Sequence, residues 1–310
     1  TKFGLNIRDF GAFLELLDRT PGLDFQGFHV HIGSPIATLD PYRIVAGRMV
    51  EFSRALAQRG RPCRMMNLGG GYPVNYLDRA QWTATLDRIR RGYEAASAGD
   101  PSKLWVWENA AAGFQDQTTG KIDLATWTGE QFYSEYPKER MLDALLAGDV
   151  PVDGKPVSFV RALRDLGEPT LVVEPGRSIV EDAGVSLARV SLTKKVDGIH
   201  DLVALELGVV NLGDALDWTI PMNRWSIASG GDREDAAPFE AFVAGHLCFT
   251  GDMPSRYKVS LRRKPVSGDV LMTWDTGAYS PQFYAANTNA FPRPARLLVL
   301  ADRSVEFLKA

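Results

Sequence analysis

Four short polar segments hold the residues of this 310-residue chain that are best suited to chemistry. In chain order they are HVHIGS at 29–34, NLGGGY at 67–72, EPGRS at 174–178 and GAY at 277–279. Each segment lies where a short apolar strand would run into a loop. The polar tips can therefore converge on one anionic ligand.

The second and third segments each have two physical explanations. The glycines at 69–71 remove every Cβ from a turn, which lets backbone N–H groups approach a phosphate, and we expect the turn to lead into a helix whose N-terminus favours an anion. A plain tight turn explains the same glycines equally well. Glu174 and Arg177 stand three residues apart. Such pairs are often surface ion pairs, but a guanidinium also suits bidentate phosphate contact.

The first segment contains two of the four histidines of the chain, His29 and His31. In an extended strand, residues two apart point to one face, so we expect both imidazoles on the same side, with Ser34 just beyond. A lone histidine in such a place is usually a core residue. Two histidines at one strand end favour a functional site.

Composition limits the class of protein and of partner. The chain is 45% hydrophobic and 24% charged, with a net charge of −3, which is typical of a globular protein and does not favour a nucleic-acid or membrane-surface partner. No apolar run reaches the roughly 18 residues of a membrane span. The two cysteines, Cys63 and Cys248, are far apart in the sequence and indicate neither a disulfide framework nor a metal-ligand cluster. We expect a cytoplasmic protein without a metal site.

The first half of the chain alternates helical and strand patterns, as expected of parallel strands joined by crossover helices. Helical periodicity covers Ile7–Arg19, Asp40–Arg59 and Gln81–Ala98, and extended apolar runs cover Gly27–Ile32, Arg64–Leu68 and Pro169–Val173. Past residue 180 the runs become β-rich: Val185–Val196, Leu202–Val209, Val270–Trp274 and Ala295–Leu300. We therefore predict an α/β domain over 1–180 and a β-rich domain over 181–310.

Residues 99–156 interrupt the α/β pattern with a segment rich in aromatic and turn-forming residues, including Trp105, Trp107 and Trp127. We interpret it as an insertion in the first domain. It is either a packed surface excursion or a lid over the site.

Five motifs together resemble the fold-type III pyridoxal-phosphate decarboxylases, the group of diaminopimelate, ornithine and arginine decarboxylases. They are GFHVHIGS at 27–34, NLGGGY at 67–72, VVEPGRSIVEDAGVSLARV at 172–190, LCFTGD at 247–252 and DTGAYSPQFYAANTNAFPRP at 275–294. The pattern is most similar to the diaminopimelate branch. The resemblance implies the last strands of an alanine racemase-like (β/α)8 barrel, a β-rich C-terminal domain, and a head-to-tail homodimer with shared active sites.

The resemblance also implies roles for individual residues. His31 resembles the residue that stacks on the pyridoxal ring, and Glu174 resembles the partner of the pyridine nitrogen, whose protonation makes the ring an electron sink. The phosphate cradle would comprise Ser34, Gly69, Gly70, Gly71, Gly176, Arg177 and Tyr279. Cys248 resembles the cysteine that crosses the dimer interface and helps to protonate the substrate carbon, and Asp252 resembles an interface carboxylate.

Two departures bear on the substrate. The diaminopimelate enzymes place a glutamate directly after the interface cysteine, where this chain has Phe249, and ornithine recognition uses an aspartate there. Their distal-carboxylate motif corresponds to 215–225, where Arg224 is a substitute whose spacing does not fit. An unpaired charge in a closed site costs about 1–3 kcal/mol or more, so we expect an amino-acid substrate other than meso-diaminopimelate.

A third departure concerns the lysine that binds the cofactor covalently, which in the family lies on an early barrel strand. No lysine of this chain has that setting. We therefore expect this chain to lack that N-terminal region and to be inactive alone, while the full-length protein is a decarboxylase. The alternative is a catalytically silent homologue that acts as a binding or regulatory protein. A racemase of the alanine racemase group is disfavoured, because those enzymes place an arginine against the pyridine nitrogen.

Overall fold

A computed structural model describes residues 4–107, 133–180, 182–212, 224–229, 237–279 and 293–308. They fall into two compact units, the first within 1–75 and 133–179 and the second within 76–132 and 180–310. The sequence pattern predicts a boundary one position later, after residue 180, and it assigns all of 76–107 to the first domain. The second unit also takes residues from the stretch before position 133, so the chain passes between the units more than once.

The helices and strands follow one another along the chain as follows: α1 (Phe10–Asp18), β1 (Gly27–His29), α2 (Asp40–Ala57), β2 (Met65–Asn67), α3 (Arg79–Ser97), α4 (Glu139–Ala147), β3 (Asp149–Val152), β4 (Lys155–Ser158), α5 (Phe159–Asp165), β5 (Thr170–Val172), β6 (Val185–Val196), β7 (His200–Leu205), α6 (Val209–Leu212), β8 (Trp225–Ile227), β9 (Phe239–Ala244), β10 (Ser255–Leu261), β11 (Val270–Trp274), β12 (Arg296–Val299) and β13 (Val305–Leu308). Short 3₁₀ helices lie at 7–9, 101–103 and 176–179.

The first unit contains a parallel sheet of three strands in the order β1-β2-β5. In its register His29 lies beside Asn67, and Asn67 lies beside Val172. The amphipathic helix α2 connects β1 to β2 and buries Tyr42, Ala46 and Val50 on its inner face. The predicted parallel strands and crossover helix are thus confirmed, although each strand is shorter than its apolar run.

Helix α4, strand β3 and the start of β4 lie within the predicted insertion, and they belong to the core of the first unit. Met141, Leu145, Val150 and Val152 are all buried, packed with residues of α2 and β2. This part of 99–156 is therefore neither a surface excursion nor a lid. Trp127 lies outside the described residues.

The second unit is built on a six-stranded sheet in the order β10-β9-β7-β6-β11-β8. Neighbours are antiparallel except β7 and β9, which are parallel. One edge strand, β10, is extended by residues of the predicted insertion: Val106 forms a β-bridge with Tyr257, and Lys258 donates from its backbone N–H to Trp105 O at 2.9 Å. Strands β12 and β13 form a separate hairpin.

Helix α3 begins later than the sequence predicts. The sequence predicts that the glycine turn at 69–71 leads into a helix, but α3 starts only at Arg79. Its N-terminus is closed by a capping box in which Asp78 accepts from the backbone of Gln81. Because a carboxylate already satisfies this helix start, the expected anion site at the N-terminus is wrong. No described helix has the length and apolarity needed to span a membrane.

Candidate active site

Three polar side chains meet where the parallel strands of the first unit end. His29 is the last residue of β1, Asn67 is the last residue of β2, and Glu174 follows β5 by two positions. Nε2 of His29 lies 3.2 Å from Oε1 of Glu174, and Nδ2 of Asn67 donates to the same oxygen at 2.9 Å. We call these three residues the strand-end cluster. Carboxyl ends of parallel strands are where open α/β sheets place their ligand sites.

The strand-end cluster is open to solvent. The side chains of His29 and Glu174 are 52% and 44% exposed. Among the described residues, Oε2 of Glu174 has no hydrogen-bond partner, since both contacts are made to Oε1. The carboxylate can therefore accept a further hydrogen bond from a ligand N–H group.

The glycine turn lies against the other two strand ends. A Cβ at Gly69 would come within 2.1 Å of Val30 O, one at Gly70 within 2.4 Å of Glu174 O, and one at Gly71 within 2.1 Å of Gly33 O. Gly69 and Gly71 also have φ values of 69° and 88°. Close packing of the loops thus requires all three glycines, whether or not they contact a phosphate.

Two buried tyrosines lie behind the glycine turn. The Tyr42 hydroxyl donates to Gly70 O at 2.8 Å, and the Tyr42 and Tyr72 rings stack with their centroids 5.4 Å apart. Burial raises the pKa of Tyr42 and raises the pKa of Tyr72 to about 12. Both phenols therefore stay protonated, and Tyr42 can act as a permanent donor that fixes the turn.

His31 and Ser34 lie in the exposed loop beyond β1. The strand ends at His29, so the alternation argument for two histidines on one face does not extend to His31. Instead, Nδ1 of His31 accepts from Gly33 N–H at 3.2 Å. Gly176 and Arg177 lie in the 3₁₀ helix at 176–179, and Arg177 is only 7% exposed.

The second unit holds the candidate interface residues. Cys248 and Phe249 are exposed in the loop between β9 and β10. Asp252 is buried, and its carboxylate accepts from Val209 N–H at 2.6 Å and from Leu247 N–H at 2.7 Å. Asp252 differs from the expected interface carboxylate, because its side chain is buried and joins its own β9–β10 loop to the first residue of α6.

The other predicted residues of this unit lie near its loops. Tyr279 is half-buried with φ of 65°. Arg224 pairs with Asp275 through Nε and Oδ2 at 2.7 Å, so its guanidinium is already engaged within the chain. The remainder of the proposed substrate motif at 215–225 lies outside the described residues, except Trp225 in β8.

Sequence reasoning missed two members of the strand-end cluster. Asn67 belongs to the NLGGGY motif, but the sequence analysis assigns it no role. For His29 it predicts no partner. The available signal was positional: β1 and β2 each end in a polar residue, as does the segment after β5. Because neighbouring parallel strands end at one edge, such residues are expected to meet.

Residues 1–106 match the family model for the pyridoxal-dependent decarboxylase, pyridoxal binding domain. Over its first third, the chain is thus similar to the pyridoxal-dependent decarboxylases. The resemblance indicated by the motifs is thereby confirmed, including the likeness to diaminopimelate decarboxylase.

Individual relatives support the same conclusion. The chain is 33% identical over 306 residues to the diaminopimelate decarboxylase of Aquifex aeolicus (strain VF5), covering 96% of this chain and 53% of that protein. The crystal structure of diaminopimelate decarboxylase from M. jannaschi has a TM-score of 0.63 at 20% identity, covering 99% of this chain and 54% of that one. The Helicobacter pylori enzyme, crystallised with L-lysine, has a TM-score of 0.59 at 18% identity, covering 96% and 55%. The chain spans about half the length of the curated relatives that it matches.

Proposed function

We propose that the protein carrying this chain is a pyridoxal-phosphate-dependent amino-acid decarboxylase. The observation that supports it most strongly is the strand-end cluster, in which a partly exposed carboxylate, Glu174, is held by two neighbouring strand ends. The family match supplies the cofactor class. Diaminopimelate decarboxylase relatives make decarboxylation the reaction class favoured for this site.

The residues of the first unit fit a pyridoxal ring in their donor and acceptor chemistry. The ring nitrogen, when protonated, is a single N–H donor, and Glu174 offers one oxygen that already receives two contacts and a second that receives none from the described residues. His31 is an exposed flat imidazole on an adjacent loop. An imidazole can stack against one face of an aromatic ring.

When bound, pyridoxal phosphate supplies a conjugated ring that withdraws electrons from the substrate carbon losing CO₂. The Glu174 carboxylate would accept a hydrogen bond from the ring nitrogen and favour its protonated form. His31 would pack against the ring, and Cys248, exposed in its loop, would supply a proton to the substrate carbon.

The phosphate site is proposed to comprise Ser34, the glycine turn, Gly176, Arg177 and Tyr279. Support comes from the backbone N–H groups of a turn that has no side chains and from the guanidinium of Arg177. We further propose that the first unit contains the last strands of a (β/α)8 barrel and that the six-stranded sheet of the second unit belongs to a β-rich companion domain. The active protein would be a homodimer with Cys248 contributed by the partner subunit.

The substrate is proposed to be an amino acid that lacks a second charged end. Phe249, half exposed beside Cys248, gives that position an aromatic ring. A hydrophobic side chain there leaves a distal ammonium or carboxylate without a partner, which disfavours meso-diaminopimelate. The Helicobacter pylori relative was crystallised with L-lysine. Lysine, whose distal ammonium would lack a partner beside Phe249, is therefore a suitable comparison compound that we expect to bind weakly.

The test is CO₂ release from a panel of amino acids by the protein that carries this chain, with and without pyridoxal phosphate. The panel contains aromatic, aliphatic and basic amino acids together with meso-diaminopimelate. We expect cofactor-dependent CO₂ release from at least one uncharged side-chain class. Cofactor binding without CO₂ release from any compound would favour a silent homologue and contradict the proposed function.

A further inference from the structure

The side-chain amide of Asn67 makes hydrogen bonds at both of its ends. Nδ2 donates to Oε1 of Glu174 at 2.9 Å, while Oδ1 accepts from the backbone N–H of Gly69 at 2.8 Å. A carboxylate can only accept and an N–H group can only donate, so the amide has one possible orientation. Asn67 thus connects the glycine turn directly to the carboxylate on the next strand end.

Glu174 needs such a contact to stay in one conformation. Its side chain is 44% exposed, and an exposed glutamate samples several rotamers, whose loss costs up to about 2 kcal/mol. Asn67 and His29 both bind Oε1, which leaves Oε2 as the oxygen for a ligand. The backbone N–H of Glu174 also donates to Gly69 O at 2.9 Å. Glu174 is therefore linked to the glycine turn by a main-chain hydrogen bond and also through the side chain of Asn67.

We infer that Asn67 is a positioning residue. Its amide orients the carboxylate of Glu174 towards the ring nitrogen of the cofactor and fixes the distance between that carboxylate and the glycine turn. This inference rests on the proposed function, because it assumes that a pyridine nitrogen faces Glu174. Asn67 itself contacts neither ring nor phosphate in this account. It acts through Glu174.

A purely structural role for Asn67 would be to cap the N–H of Gly69. Two substitutions separate the roles. Asn67→Asp and Asn67→Ser both keep an oxygen that can accept from an N–H two residues on. Aspartate has no donor, and the serine hydroxyl stands where the amide carbon of Asn67 stands, so it ends one bond short of the carboxylate. The aspartate substitution would also add a second negative charge, which drives one carboxylate away or traps a proton between them.

Asn75 provides a matched control in the same unit. Its amide also works at both ends, since Nδ2 donates to Ser134 O at 2.9 Å and Oδ1 accepts from Ser134 N–H at 2.8 Å. Asn75→Asp removes a comparable donor without touching Glu174. Any general effect of replacing an asparagine amide in a loop of this unit should appear there as well.

The measurement compares the Kd of pyridoxal phosphate with the Kd of its analogue in which CH replaces the ring nitrogen. The ratio of the two isolates the contact at the nitrogen, since the phosphate and ring stacking are the same in both compounds. For the wild-type protein we expect the analogue to bind at least about tenfold more weakly, as for a charge-assisted hydrogen bond. For Asn67→Asp and Asn67→Ser we expect the ratio to fall by about fivefold or more with little change in the melting temperature. Asn75→Asp should keep the wild-type ratio.

The outcomes separate the two claims. A wild-type protein that binds neither compound would overturn the proposed function, and this inference with it. A wild-type protein that discriminates, together with Asn67 variants that discriminate equally well, would overturn the inference alone. Equal loss of discrimination in Asn75→Asp would also overturn it, because the effect would then not depend on the contact with Glu174.

Discussion

The two stacked tyrosines behind the glycine turn should respond in opposite ways to the same change. Tyr42→Phe removes a buried hydroxyl that donates to Gly70 O at 2.8 Å. Tyr72→Phe removes a buried hydroxyl that has no hydrogen-bond partner among the described residues. The rings are 1% and 5% exposed, so both substitutions conserve volume in the same core.

The expected magnitudes follow from hydrogen-bond accounting. Without Tyr42 Oη, the carbonyl of Gly70 is left buried and unpaired, which lowers the free energy of unfolding by about 1–3 kcal/mol. Removing the unpaired Tyr72 hydroxyl takes away a desolvated polar group, so the free energy of unfolding should be unchanged or rise by up to about 1 kcal/mol.

Urea unfolding followed by far-ultraviolet circular dichroism measures the difference. With an m-value of about 2 kcal/mol/M, Tyr42→Phe should lower the midpoint by roughly 0.5–1.5 M, whereas Tyr72→Phe should not lower it. Equal midpoints for the two variants would refute the reasoning that Tyr42 holds the glycine turn. So would a larger loss in Tyr72→Phe.

Two further predictions concern packing and a charge pair. Gly70→Ala should destabilise the chain by about 1–3 kcal/mol in urea unfolding, because the new Cβ lies 2.4 Å from a backbone oxygen, whereas Gly11→Ala, with no atom within 4 Å, should be neutral or stabilising; equal effects would contradict the packing argument. Burial raises the pKa of Asp275 while Arg224 opposes the rise. Because the folded-state pKa of Asp275 is raised, stability is lost as the pH rises through that pKa. Arg224→Met raises the pKa of Asp275 further. This variant should therefore cost about 1–3 kcal/mol at pH 7 and less at pH 4, and a loss independent of pH would contradict it.

Much of the framework could be predicted from the sequence, because periodicity and burial act over many residues. The pattern of α2 predicts the helix to within two residues at its C-terminus, and β6 and β11 occur at the predicted positions. The β-branched run before Glu174 correctly indicates a parallel strand. Such elements bury continuous apolar faces, which the sequence displays directly.

Other features depend on contacts between distant residues and could not be predicted in the same way. Helix α4 and the β3–β4 hairpin join the core of the first unit through side chains that meet α2 more than 90 positions earlier in the sequence. The inward orientation of Asp252 depends partly on the backbone N–H of Val209, the first residue of α6, which lies 43 positions earlier in the sequence. Asn67 has a partner 107 residues away. None of these contacts has a local signature.

The measurement that tests the central claim most directly is the effect of Glu174→Gln on turnover and on pyridoxal phosphate affinity in the protein that carries this chain. Glu139→Gln, an exposed residue at the start of α4, is the matched control. We predict that Glu174→Gln lowers turnover by about a hundredfold or more while the cofactor still binds, because glutamine cannot hold the proton on the ring nitrogen. Glu139→Gln should change neither. Unchanged turnover in Glu174→Gln would contradict the assignment of the strand-end cluster as the site of pyridoxal chemistry.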